Sequence, residues 1–222
     1  KFAGHSQEYH PAELSRTAFP IFVTRIASVT IEYSNVLLVG FLAGPAQAGA
    51  YFAAEKLAQL SLIPPSIMSS VSQPELAAAN AMGNPQLLKG INRRAVHGGL
   101  WPTVAIGLIS ILLAGPLLSL FGDNFTAATP VLVILVLGLI MKTALGPVED
   151  LLLMTGNQRL LPRVMFITAI FHLLSLSVLV PLYGAAGAAL TSAMSGLLSS
   201  FWLMRLVKAK LAINPTILAG RN

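Results

Sequence analysis

Apolar residues gather into six long stretches, at about 18–43, 46–72, 100–121, 130–154, 164–182 and 186–204, with polar connections between them. A hydrocarbon core about 30 Å thick takes about 20 apolar residues of α-helix to cross. The pattern predicts an all-α integral membrane protein, a six-helix transmembrane bundle over 18–211. A cytoplasmic segment at 1–17 precedes it and a cytoplasmic tail at 212–222 follows. Local signals mark the joints. Pro64-Pro65 falls inside the second stretch, where paired prolines free backbone carbonyls and kink a helix. Asn84-Pro85 reads as an N-cap followed by proline at the first helical position. Leu87, Leu88, Ile91 and Ala95 then recur at helical spacing opposite Lys89 and Arg93, so 84–97 is expected as an amphipathic helix on the cytoplasmic surface. Tyr183-Gly184 is a tight turn between the last two stretches.

Charge strengthens this picture. The chain is 55% hydrophobic and only 10% charged, with mean hydropathy +0.75, whereas soluble domains carry about 25% charged residues. Of its 14 cations, only Arg25, Lys56 and Lys142 lie inside apolar stretches. The others, such as Lys89, Arg93, Arg94, Arg159, Arg163, Arg205, Lys208 and Lys210, all fall on one side of the six stretches. The connections near 44–49, 122–129 and 183–185 hold no Lys or Arg. That alternation follows the positive-inside rule and puts both termini in the cytoplasm. The net charge of +6 thus reads as contact with anionic lipid headgroups. No basic run is interleaved with aromatics, so no nucleic-acid partner is expected. Cysteine is absent, which removes disulfides and Cys-based metal sites. The chain opens on Lys1-Phe2-Ala3 without a starting Met or a signal pattern, as expected of a piece of a longer protein.

Ionisable groups at membrane depth cost about +2.5 to +3.5 kcal/mol each at a helix centre, so they need partners, water or a purpose. With a rise of about 1.5 Å per residue, Arg25 and Glu149 lie roughly 10 and 8 Å from the inner edges of their stretches. Glu32 and Lys142 lie roughly 20 Å in on the same rise. Arg25 and Glu32 share one helix face by their spacing, and so do Lys142 and Glu149. This arrangement predicts two cross-helix pairs, Arg25 with Glu149 or Asp150 and Glu32 with Lys142, lining a hydrated cavity. Two readings fit: neutralised pairs that fix helix register, or a polar cavity that meets an anionic ligand. Glu55 and Lys56 point about 100° apart, so they cannot both face one partner and one is expected to snorkel outward. His172 is a hydrogen-bonded packing residue or a proton relay. Small residues of the sixth stretch, among them Ala189, Ala193, Ser192 and Gly196, are spaced for close helix packing. No catalytic cluster, metal spacing or Gly-rich phosphate loop is present, so neither enzyme chemistry nor a cofactor is expected.

Several runs carry a family resemblance. GPAQAGAYFAAEKL at 44–57 resembles the G-x-Y-x-x-A start of the second helix in each half of the oligosaccharide flippases. GPLLSLFGDNFTAATPVLVILVLG at 115–138 is similar to their LL-x-L-F-G hairpin. GPVEDLLLMTGNQRL at 146–160 and LYGAAGAALTSAMS at 182–195 resemble the next two connections. The chain is thus similar to the C-terminal half of a transporter of the MOP exporter superfamily, whose relatives include MATE multidrug exporters and lipid II flippases. The resemblance implies two six-helix bundles around a central cavity, working by alternating access in the bacterial inner membrane. It implies a missing N-terminal six-helix half and a lipid-linked oligosaccharide substrate. Within it, Arg25 and Lys142 are the candidates for phosphate contact, and Glu32, Glu149 and Asp150 for proton or cation coupling. Alternatives are half of a MATE-type cation-coupled drug antiporter, or a membrane assembly subunit in which the interior charges only hold helices together.

Overall fold

The computed structural model describes residues 11–211 together with Pro215 and Thr216. Most of the N-terminal segment and of the tail expected at 1–17 and 212–222 lies outside the described residues. Among the described residues every regular element is helical. In chain order they are α1 (Pro11–Ala43), α2 (Pro45–Gln59), a 3-10 turn (Leu60–Leu62), α3 (Ile63–Ala81), α4 (Pro85–Leu112) and α5 (Ala114–Ser119). A second 3-10 turn (Asp123–Ala128) leads into α6 (Thr129–Ala144) and α7 (Val148–Met154). A third (Gln158–Leu160) leads into α8 (Leu161–Tyr183) and α9 (Ala185–Leu211).

Turn chemistry set the joints where expected. Gly44, at φ 93°, and Pro45 at the start of α2 separate the first two helices. Asn84 caps α4 by accepting from the backbone N–H groups of Gln86 at 3.1 Å and Leu87 at 3.0 Å. Gly184, at φ 58°, turns α8 back onto α9, and the Gln47 side chain accepts from the Ala185 N–H at 2.8 Å to hold that turn. The prolines at 64–65 open α3, so the second apolar stretch is two helices joined by a 3-10 turn.

Two other segments differ from the sequence reading. The amphipathic segment 84–97 is the first half of α4 and runs straight on into the third apolar stretch. No glycine turn divides them, and Leu88, Ile91 and Val96 are buried within the bundle. The fourth stretch is divided: α6 stops at Ala144, Gly146 takes φ 86°, and Pro147 precedes α7. The left-handed Gly146 takes the backbone out of the helix. Pro147, which lacks an N–H, returns no hydrogen bond to α6. Prolines without such a glycine, Pro74, Pro102 and Pro181, stay within their helices.

Helices α3 and α4 pair, as do α8 and α9, while α1 lies along α8 and α6 packs on α9, α4 and α2. Gly138 of α6 lets that helix approach closely: a Cβ built there would lie 2.7 Å from the Cβ of Ala193 on α9. Two apolar cores result. One gathers Val39, Tyr51, Leu132, Leu176 and Ala188. The other gathers Leu76, Ile91, Leu151, Val164 and Leu203. Along α1, α6, α8 and α9 the polar side chains Asn35, Lys142, His172 and Ser195 fall between the residues of the two cores, with Thr168 at the edge of the second. The outside is apolar, with Phe41, Leu112, Leu120, Leu174 and Leu182 broadly exposed. An outer face of that kind is matched to hydrocarbon.

Among the described residues four helices are long and apolar enough to cross a membrane: Pro85–Leu112, Asp123–Ala144, Gln158–Tyr183 and Ala185–Leu211. The six crossings expected from the pattern are therefore matched in four. In α1 the qualifying apolar portion is the shorter Ser28–Ala43, and the proline break divides the second stretch. By length and composition these four helices mark a membrane-embedded protein.

Candidate functional site

The polar belt between the two cores opens into three adjoining cavities of about 180, 170 and 280 Å³. Lys142, in the last turn of α6, lines all three and is the one cation on their walls among the described residues. Gly196 of α9 lies opposite its stem: a Cβ there would sit 3.8 Å from the Lys142 side chain. A larger residue would fill space that the lysine occupies.

Carboxylates surround the ammonium group. Glu149, in the first turn of α7, lies with Oε1 4.0 Å from Lys142 Nζ. The Gly146-Pro147 break positions it, because the chain folds there and brings both groups into one cavity wall. Glu32 of α1 and Glu55 of α2 line the largest cavity together with Lys142 and Glu149. The expected convergence of Glu32, Lys142 and Glu149 on one polar cavity is therefore present. The expected pairing is different. Glu149 pairs with Lys142 on its own side of the bundle, leaving Glu32 beside the cavity without an ion pair among the described residues.

Arg25 lies elsewhere. It is exposed on α1, lines none of the three cavities, and joins no ion pair among the described residues. The cross-helix pair of Arg25 with Glu149 or Asp150 is not formed, because both carboxylates have nearer partners. Asp150 accepts from the Ser69 hydroxyl at 2.5 Å and from Gln73 Nε2 at 3.1 Å, and Gln73 also donates to Ser69 at 3.0 Å. This closed triangle ties α7 to α3, and no pattern of charge announces it, since Ser69 and Gln73 are neutral.

Sequence reasoning also left Glu55 unassigned. Its neighbour Lys56 turns outward, donating to Gln59 at 3.2 Å with its ammonium 5.1 Å from the Phe52 ring. One of the adjacent pair does point away, as expected. Glu55 faces inward on the α2 stripe of Ala48, Tyr51 and Ala58. That helical spacing of small residues and a tyrosine was the available signal.

The rest of the belt is rich in hydroxyls. Tyr51, fully buried, shares a hydrogen bond of 3.1 Å with Ser192. His172 is fully buried, with Nδ1 2.8 Å from Ser195 Oγ. The Ser195 hydroxyl proton goes to the Thr191 carbonyl at 2.8 Å, so His172 Nδ1 is the donor to Ser195. His172 Nε2, Thr168 Oγ1 and Asn35 Oδ1 are buried without a hydrogen-bond partner among the described residues. Asn35 and Thr168 line the largest cavity. Orphaned buried polar atoms beside a cavity call for water or a ligand. No group of three or more His, Asp or Glu among the described residues is arranged to hold a metal ion.

Chemically the cleft combines one ammonium, four carboxylates (Glu32, Glu55, Glu149, Asp150) and a set of hydroxyl and amide groups. Such walls hydrogen-bond polyols and attract cations. They hold an anion only at Lys142. No protein-family model, curated protein or solved structure matches this chain.

Proposed function

We propose that this chain is a six-crossing bundle forming one wall of an alternating-access transporter, and that its cargo is a lipid-linked oligosaccharide. The observation that carries the reading is Lys142, one cation shared by three joined cavities inside a membrane-embedded bundle. Ionisable groups within membrane-spanning helices mark the path of a solute or ion. Lys142 stands in the last turn of α6, not at the mid-membrane depth expected from an uninterrupted fourth stretch. In this reading the hydroxyl-rich wall meets the glycan and Lys142 meets the phosphate. Arg25, exposed on α1, meets it on entry. Glu32, Glu149 and Asp150 serve ion coupling, with Glu55 as a further member. A second six-helix bundle supplies the opposite wall, and the assembly sits in a bacterial inner membrane with both termini cytoplasmic. The resemblance to the MOP exporters supports a transporter of that superfamily and leaves the branch to the cleft chemistry.

A second reading, half of a MATE-type cation-coupled antiporter, is favoured by the excess of carboxylates over Lys142. Substitutions in the complete transporter separate the two. For a flippase, Lys142→Gln abolishes surface polysaccharide at unchanged membrane abundance. For an antiporter, Glu55→Gln and Glu32→Gln abolish efflux of a cationic dye while Lys142→Gln spares it. Polysaccharide export that survives Lys142→Gln removes the flippase reading.

A further inference from the structure

The α8–α9 hairpin ends in a cluster of exposed cations. Arg159 and Arg163 stand one turn apart at the entry to α8. Arg163 and Arg205 are equally distant in sequence from Gly184, the turn of the hairpin, so antiparallel packing brings them to one level. Lys208 lies one turn beyond Arg205 on α9. All four side chains are exposed, and none joins an ion pair among the described residues. The other basic hairpin at this end, α3–α4, differs: its Arg94 is held by Glu75 at 3.1 Å.

The surface below the cluster is layered. The Arg205 guanidinium lies 4.9 Å from the Phe201 ring, and Trp202 beside it is also exposed. Deeper along the hairpin come the exposed aliphatic residues Ile170 and Leu174 on α8 and Leu198 on α9. Cation, aromatic ring and aliphatic ridge succeed one another in the order of a phospholipid's headgroup, glycerol region and acyl chains. Guanidinium groups suit the phosphate because their planar donors pair with two of its oxygens.

We propose that this hairpin end is a binding site for an anionic phospholipid, its phosphate held by Arg159, Arg163 and Arg205 and its acyl chains laid along the apolar ridge. The site rests on the embedding of α8 and α9 in a membrane and is independent of what the cleft transports. A free phosphate would use the cations alone; the continuous ridge below them favours a lipid.

Trp202 is a probe already in place. The chain has 2 tryptophans, so Trp101→Phe leaves Trp202 as the single reporter. The full chain in mixed micelles is titrated with brominated phosphatidylglycerol or brominated phosphatidylcholine, and tryptophan quenching is read. The expected result is half-quenching by the anionic lipid at a several-fold lower mole fraction. The variant Arg159→Gln/Arg163→Gln/Arg205→Gln makes the two lipids equal, whereas Lys89→Gln/Arg93→Gln on α4 keeps the preference. Equal quenching in the parent, a preference that survives the triple substitution, or one abolished by millimolar inorganic phosphate overturns the proposal. Native mass spectrometry of the unsubstituted chain supplies a second readout, with phosphatidylglycerol retained in preference to phosphatidylcholine; no preference there counts equally against it.

Discussion

Lys142 and Glu149 show why a short list of side chains carries the chemistry of this bundle. Their separation of 4.0 Å and side-chain exposures of 44% and 45% make the pair weak as a stabiliser. A half-exposed pair contributes less than about 1 kcal/mol. A double-mutant cycle of Lys142→Gln and Glu149→Gln, read by thermal unfolding in detergent, should give a coupling below that value even where each substitution alone stops transport. Asn84 is the opposite case, with structural weight and no place in the cleft. Its side chain satisfies two backbone donors of α4, so Asn84→Ala should cost about 1 kcal/mol of stability, read by thermal unfolding in detergent, and leave the activity proposed for the cleft unchanged. At this scale the sequence disclosed the interior charges by their cost alone, and four of them, Glu32, Glu55, Lys142 and Glu149, do converge. It did not disclose which partner each would choose. The clasp on Asp150 is made by Ser69 and Gln73, neutral residues distant in sequence, and pattern analysis of charges passes over them.

Helix ends were legible at Gly44-Pro45, Asn84-Pro85 and Gly184, where glycine, proline or a capping side chain stands between two stretches. Apolar runs conceal their own interruptions. The fourth stretch reads as one span because hydropathy passes smoothly over Gly146-Pro147, while the backbone there leaves the helix. Conversely, α4 is continuous across a change from polar to apolar composition, because nothing in 85–112 ends it. The φ of 86° at Gly146 is a conformation that a side chain resists, at a cost of about 1–2 kcal/mol. Gly146→Ala is crowded as well, by the Pro215 carbonyl and Val96. It should lower the thermal midpoint in detergent and, in the proposed transporter, reduce export with it. At Gly138 the neighbour is the backbone and Cβ of Ala193. Gly138→Val therefore has to force α6 from α9, at about 1–3 kcal/mol, measurable as reduced yield of folded protein after detergent extraction.

For the whole molecule, the solvent was legible before any element was. A composition of 10% charged residues and an exposed surface bearing Phe41, Leu112 and Leu174 belong to a protein surrounded by lipid. The number of crossings was less legible, since length and hydropathy alone qualify four helices. The chain lacks cysteine, so single cysteines report topology without background. A cysteine replacing Asn84, just before α4, and one replacing Asn124, in the 3-10 turn that follows α5, should react with a membrane-impermeant thiol reagent from opposite sides of sealed vesicles. Labelling of both from one side would refute a crossing by α4.

The interruption between α6 and α7 gives the bundle a joint at its most highly charged level. Lys142 stands on one arm of that joint and Glu149 on the other, while Asp150 tethers the shorter arm to α3. A small tilt of that arm would pull the carboxylate off the ammonium group and leave both searching for new counter-charges. An occupant that supplies them would be felt as an angle, and a swing of the arm would be felt by the occupant as a change in grip.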